Sequence, residues 1–138
     1  TTIAELVPAG PIRSQAERMS GALADQEEVS LILVVTPDEL PVLETQAALE
    51  QLSEEPVVHL AGVVANRVLP DLDMSRRDLG SLPEGPHREA AAHHLAVQEQ
   101  QARWLLELPD GPRLPYLFGL HTPGEISAQL ADLWDGQL

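Results

Sequence analysis

Two uninterrupted apolar runs constrain the fold more than anything else in this chain. They are Val29–Thr36 (VSLILVVT) and Val57–Ala65 (VVHLAGVVA). Both are rich in β-branched residues and both are short. A run without polar alternation suits a strand buried on its two faces, the situation found in parallel sheets. Thr36-Pro37-Asp38-Glu39 follows the first run and carries a helix start, with Thr36 as N-cap, Pro37 as first helical residue and Glu39 as the capping partner. That helix is expected to reach about Leu52, turning Leu40, Leu43, Ala47 and Ala48 inward. Pro41 falls in the first turn, where a missing N–H costs little, and Pro56 ends the pattern. Strand, helix and strand make a βαβ unit, expected to be right-handed.

Around this unit the chain reads as follows. Residues 1–13, with Pro8, Gly10 and Pro11, form an irregular lead-in. Ser14-Gln15-Ala16-Glu17 fits a capping box opening a helix with Ala16, Met19 and Leu23 on one stripe, ending near Asp25. Residues 69–86 are rich in Pro, Gly, Asp and Ser and read as a mobile loop. A long helix is expected from Pro86 to about Leu108, with a Glu99–Arg103 pair along it. Pro109-Asp110-Gly111-Pro112 stops it. Arg113–Phe118 (RLPYLF) is a short third strand, and Thr122-Pro123-Gly124-Glu125 opens a last helix carrying Ile126, Leu130, Leu133 and Trp134. The fold class is therefore α/β, with three mainly parallel strands and flanking helices, and residues 14–138 form a single α/β segment.

Composition excludes several functions. The formal net charge of −14 repels nucleic acid and anionic membrane surfaces. The absence of cysteine removes disulfides, thiolate metal sites and thiol catalysis, and favours a cytoplasmic protein. All eight basic residues are arginine. With no lysine, a G-x-x-x-x-G-K-S/T phosphate loop cannot lie within these 138 residues, so they cannot hydrolyse a nucleoside triphosphate alone. Aromatics make up 3% of the chain, so its core must be aliphatic. Leu31–Val35 is far too short to span a bilayer. Thr1 is not a natural start residue, which leaves two readings open: a fragment, or the ordered part of a longer chain.

Four stretches resemble the ArsA family of ATPases, which transport anions or target tail-anchored proteins. GPIRSQAERMSGALADQEEVSLILVVTPDELPVLET resembles that family's helix, strand and V-T-x-P-E-x-L-P-V-x-E-T turn. AGVVANRVLP is similar to its strand ending in V-V-x-N-R/Q-x-L-P. HLAVQEQQARWLLEL resembles its Gln-rich helix, and RLPYLFGLHTPGEISAQLADL its last strand, loop and helix. The resemblance implies the C-terminal portion of a doubly wound P-loop NTPase sheet. It implies ATP or ADP as ligand, with Mg²⁺, the phosphate loop and a water-positioning aspartate supplied by an N-terminal half outside these residues. It also implies a homodimer whose closure moves a client, either an oxyanion through a membrane pump or a membrane protein. The Cys-x-x-Cys that many targeting members carry is absent, which puts a dimer-bridging zinc in doubt, and the usual E-x-x-G before the last helix is not kept. Two rivals stand beside this reading: a non-catalytic regulatory or assembly module that binds no nucleotide, and an unrelated small α/β enzyme, for which nucleophiles and bases are scarce.

The candidate ligand-binding residues are Asn66, Arg67, Pro115, Leu117 and Phe118. Asn66 lies past the carboxyl end of the second strand, the edge where open parallel sheets bind ligands. Its carboxamide offers donor and acceptor together, and the resemblance implies contact with adenine; alternatively it closes a turn through its own side chain. Arg67 either stacks on the base or approaches ribose or phosphate, or it is a solvated charge or the ion-pair partner of Asp71 or Asp73. The resemblance implies that Pro115, Leu117 and Phe118 form a wall against the base; the alternative is strand packing with Phe118 in the core. Gly119 permits a sharp turn. Asp38 and Glu39 give the Thr36 helix start a capping rather than an anion-binding role. His87, His93 and His94 read as a solvated helix face rather than a metal site, and Glu27-Glu28 and Glu54-Glu55 as exposed pairs. Two methionines, Met19 and Met74, are too few for a flexible client groove.

Overall fold

The apolar runs do become strands. The computed structural model describes residues 10–25, 29–55 and 58–135. In chain order these hold α1 (Pro11–Ala24), β1 (Ser30–Val35), α2 (Glu39–Glu54), β2 (His59–Val68), α3 (Arg76–Leu79), α4 (Pro86–Leu105), β3 (Arg113–Pro115) and α5 (Pro123–Asp135). The strands make an open, all-parallel sheet in the order β1-β2-β3, flanked by helices, a P-loop NTPase-like arrangement.

Two compact units divide the chain. Thr1–Ile32 with Ala48–Gly62 form the first, and Leu33–Ala47 with Val63–Leu138 the second. In the first, Ser30 Oγ lies 3.0 Å from His59 Nδ1. The second carries an aliphatic core of Val35, Val42, Val63, Val64, Ala65, Leu95 and Leu105. Gly111 sits so close to Val63 that a Cβ there would stand 2.2 Å from the Val63 carbonyl oxygen. Only a glycine lets the chain pass β2 at that distance on its way into β3.

Several sequence expectations need correction. The first helix starts at Pro11, with Gly10 as N-cap, rather than at Ser14. Proline fits that first position because its missing N–H has no intrahelical partner there anyway. Ser14 is therefore inside the helix, its N–H donating to Gly10 O at 3.1 Å, and Glu17 pairs with Arg13 at 2.8 Å instead of capping. Residues 1–9 of the expected lead-in, Glu27, Glu28, Pro56 and Val57 lie outside the described residues. The second helix starts at Glu39, not Pro37, which is buried in the turn before it. Its fully buried residue is Val42, while Leu40 and Leu43 are 65% and 48% exposed and Ala47 is exposed too. This helix carries apolar residues on two faces, so spacing alone did not select the inner one.

Residues 69–86 are not all irregular, since α3 lies among them. Ser75 and Asp78 cap it reciprocally: Ser75 N–H donates to Asp78 Oδ2 at 2.9 Å, and Asp78 N–H to Ser75 Oγ at 3.4 Å. Arg76 grips Glu99 of α4 through two hydrogen bonds of 2.6 and 2.5 Å, so the close partner of Glu99 is Arg76 and not Arg103. β3 stops at Pro115 rather than Phe118, and Phe118 is 57% exposed instead of in the core. The chain bends away at Gly119, whose φ of 109° is the left-handed side that favours glycine. The last helix starts as expected: Thr122 N–H and Oγ1 both donate to Glu125 Oε2, at 2.7 and 2.8 Å. No helix among the described residues is long and apolar enough to cross a membrane.

Candidate functional site

β2 does not run straight to its tip. Ala65 pairs with Arg113 and Val68 with Pro115, so three steps on β2 face two on β3. The ladder is intact on either side, with Ala65 N–H donating to Pro112 O at 3.0 Å and Tyr116 N–H to Val68 O at 2.7 Å. The surplus residue falls at Asn66–Arg67. Bulges of this kind re-aim side chains and recur beside binding sites. Arg67 has φ 60°, a left-handed conformation that costs a non-glycine residue about 1–2 kcal/mol.

A cleft of about 390 Å³ opens at this tip. Asn66, Arg67, Pro115, Tyr116 and Leu117 line one side, and Ile126 and Leu130 of α5 another. A second cavity of about 310 Å³ holds Thr36, Asp38, Leu69, Val97 and Gln101. Arg67 and Tyr116 line both. The Arg67 guanidinium carbon lies 5.3 Å from the centre of the Tyr116 ring, so this stacked pair borders both cavities.

Of the five residues singled out from sequence, four come together on the first cleft. Asn66 Oδ1 accepts a hydrogen bond from the N–H of the next residue, Arg67, at 2.9 Å. One lone pair of that oxygen is left over, and the amide NH₂ makes no hydrogen bond among the described residues. Arg67 rests on Tyr116 rather than on Asp71, whose Oδ1 accepts from Asp73 N–H at 2.9 Å. Pro115 and Leu117 stand in the wall. Phe118 lies outside the lining and packs instead on Tyr116, with ring centres 4.9 Å apart, and on His94 at 6.0 Å. His94 Nε2 sits 2.9 Å from Pro70 O.

Sequence reasoning missed Tyr116, Leu120, His121 and Gln101. Gln101 had a legible signal: it stands at four-residue spacing between Val97 and Leu105, a polar residue on a buried stripe. Gln101 is 7% exposed, and both ends of its amide are bonded, Oε1 accepting from Leu69 N–H at 2.8 Å and Nε2 donating to Arg67 O at 3.3 Å.

No three metal-ligand side chains converge among the described residues. The cleft presents the free Asn66 NH₂ donors and a spare lone pair of Asn66 Oδ1 beside the apolar Pro115 and Leu117. The Thr122 N–H, then the Thr122 hydroxyl, hold the Glu125 carboxyl below its usual range, keeping the α5 cap ionised beside the cleft.

The chain is an α/β protein with an open parallel sheet, a bulged strand tip and a cleft at its carboxyl edge; in open sheets of this kind ligands bind outside the strand ends. The chain belongs to the anion-transporting ATPase family, whose model matches residues 11–80, 70 of the 138. Asn66 and Arg67 fall within the matched region; β3, α4 and α5 follow it. No match to a curated protein was found.

Proposed function

We propose that these residues supply the adenine pocket and a sheet edge of an ArsA-like ATPase. The observation carrying this reading is the bulge that turns Asn66 into a cleft walled by Pro115 and Leu117. ATP or ADP is the proposed ligand, with Asn66 pairing with the base edge and Arg67 beside the sugar or the base. No lysine exists here to hold phosphates, so the phosphate loop and the Mg²⁺ ligands come from a partner segment: the N-terminal half or a second subunit. Hydrolysis on that segment would drive closure of a cytoplasmic homodimer and movement of a client, an oxyanion at a membrane pump or a membrane protein.

The second reading is a regulatory or assembly module that binds no nucleotide. The bond from Arg67 N–H to Asn66 Oδ1 favours it, because that bond already gives Asn66 a structural task.

Calorimetric titration of the full-length protein, phosphate loop included, with ADP separates the two. The adenine reading expects binding that weakens about tenfold in Asn66→Ala, the worth of one or two hydrogen bonds. Equal affinity in the variant, or no binding at all, overturns it. Sequencing upstream of Thr1 tests the remainder: a G-K-S/T loop is expected there, and a coding region starting at Thr1 removes the ATPase assignment.

A further inference from the structure

Arg67 holds a left-handed conformation in the middle of a strand tip, and something must hold it there. Asn66 and Arg67 are partly or fully open to solvent. Their own side chains supply one local hydrogen bond and one cation–aromatic contact. Such contacts are weak when exposed. The one buried polar side chain among the described residues that reaches this turn comes from another element. Gln101 of α4 accepts from Leu69 N–H and donates to Arg67 O, spanning the turn from the far side with both ends of its carboxamide. Burial raises the stake, because losing either partner leaves an amide group unsatisfied away from water.

We infer that Gln101 is a positioning residue for the cleft: its carboxamide locks the bulge in the conformation that aims Asn66 at the ligand. This rests on the adenine reading and adds to it. Gln101 does not line the first cleft and touches no base; it acts through the backbone on both sides of Arg67. Because one end of its amide holds Arg67 O and the other Leu69 N–H, rotation of the bulge breaks both bonds together. The clamp is therefore two-point, and the direction of the Asn66 side chain depends on it. The consequence reaches base selectivity. A carboxamide distinguishes adenine from guanine only when its donor and acceptor are held in place, since the two bases present their donors and acceptors differently.

The test compares ADP and GDP affinity in the full-length protein, phosphate loop included, its Gln101→Met variant and Asn66→Ala. Methionine keeps the length of the side chain and removes both hydrogen bonds. The expected result is a folded Gln101→Met protein in which Leu69 N–H exchanges at least tenfold faster and the preference for ADP over GDP falls several-fold. A purely structural role would weaken both nucleotides alike and leave their ratio unchanged. Should methionine prevent folding, Gln101→Glu keeps the acceptor for Leu69 N–H and loses the donor to Arg67 O; its ADP/GDP ratio is then expected to fall. An unchanged ratio in a folded variant, with wild-type binding still dependent on Asn66, overturns the positioning role alone. Absence of ADP binding in the wild-type chain overturns both this inference and the adenine pocket.

Discussion

The Arg67 guanidinium carbon stands 5.3 Å from the centre of the Tyr116 ring while the Arg67 backbone is left-handed, with φ 60°. The contact and the strain belong to one residue and can be separated. Arg67→Ala and Arg67→Gly both lose the stacking, but only alanine must adopt the unfavourable backbone. The glycine variant is expected to be more stable than the alanine variant by about 1 kcal/mol. Urea denaturation of the pair measures this, and equal midpoints would show that the turn relaxes in solution.

Val42 is fully buried, whereas Leu40 and Leu43 on the same helix are exposed. Val42→Ala removes two methyl groups from a packed site and is expected to cost about 2–3 kcal/mol. Leu40→Ala and Leu43→Ala should each fall within about 0.5 kcal/mol of wild type. The reverse order in thermal or chemical unfolding would mean that the helix turns its other face inward.

Gly111→Ala places a methyl carbon 2.2 Å from Val63 O. The obstacle is backbone, so the loop or the strand must move. A loss of about 1–3 kcal/mol is expected, of the order seen for overpacking. A matching loss of hydrogen-exchange protection at Ala65 N–H, which bonds Pro112 O at 3.0 Å, would locate the damage. Full protection there with wild-type stability would refute the close approach.

Acid should loosen α3 from α4. The hydrogen bonds from Arg76 hold the Glu99 carboxyl below its ordinary 4.5. The Ser75 hydroxyl, then its N–H, likewise hold Asp78 below 3.8. A carboxyl whose folded value is depressed gives its full contribution above the unfolded value and loses it as pH falls through the folded one. The contribution is thus complete above about pH 5 and is lost only as the pH falls through the folded values, which lie below 4.5 for Glu99 and below 3.8 for Asp78. Trypsin cleavage after Arg76 and Arg77 is expected to accelerate in Glu99→Gln at neutral pH, judged by fragment mass. Identical cleavage rates would show that the ion pair does not order this segment.

The strands were legible because their signal is redundant: β-branching, length and flanking turn residues all agree in VSLILVVT and VVHLAGVVA. The α5 start was legible from Thr122 and Glu125, since a capping box is chemistry between neighbours. The inner face of α2 was not, because Leu40 and Val42 are equally apolar and only packing in three dimensions chooses between them. The extent of β3 was misjudged because RLPYLF has strand composition throughout, while the bend at Gly119 depends on where α5 begins. At the site, Asn66, Arg67, Pro115 and Leu117 could be named from position and resemblance. Tyr116 was not singled out because RLPYLF read as one strand, whereas the chain leaves β3 after Pro115 and Pro115, Tyr116 and Leu117 all line the cleft. The bulge itself leaves no mark in composition, and so the link from Gln101 to Arg67, 34 residues apart, needed coordinates.

The added residue between Ala65 and Val68 breaks the alternation that would otherwise tie the tip of β2 to its interior. In a regular ladder, any shift made to accommodate Val63 or Val64 would be carried outward, step by step, to Asn66. Here the outer residues take their direction from a kink and a glutamine amide instead. The inner half of the strand is thus free to drift among aliphatic residues of similar size while the outer end keeps its aim, so one short strand serves two masters with little interference between them.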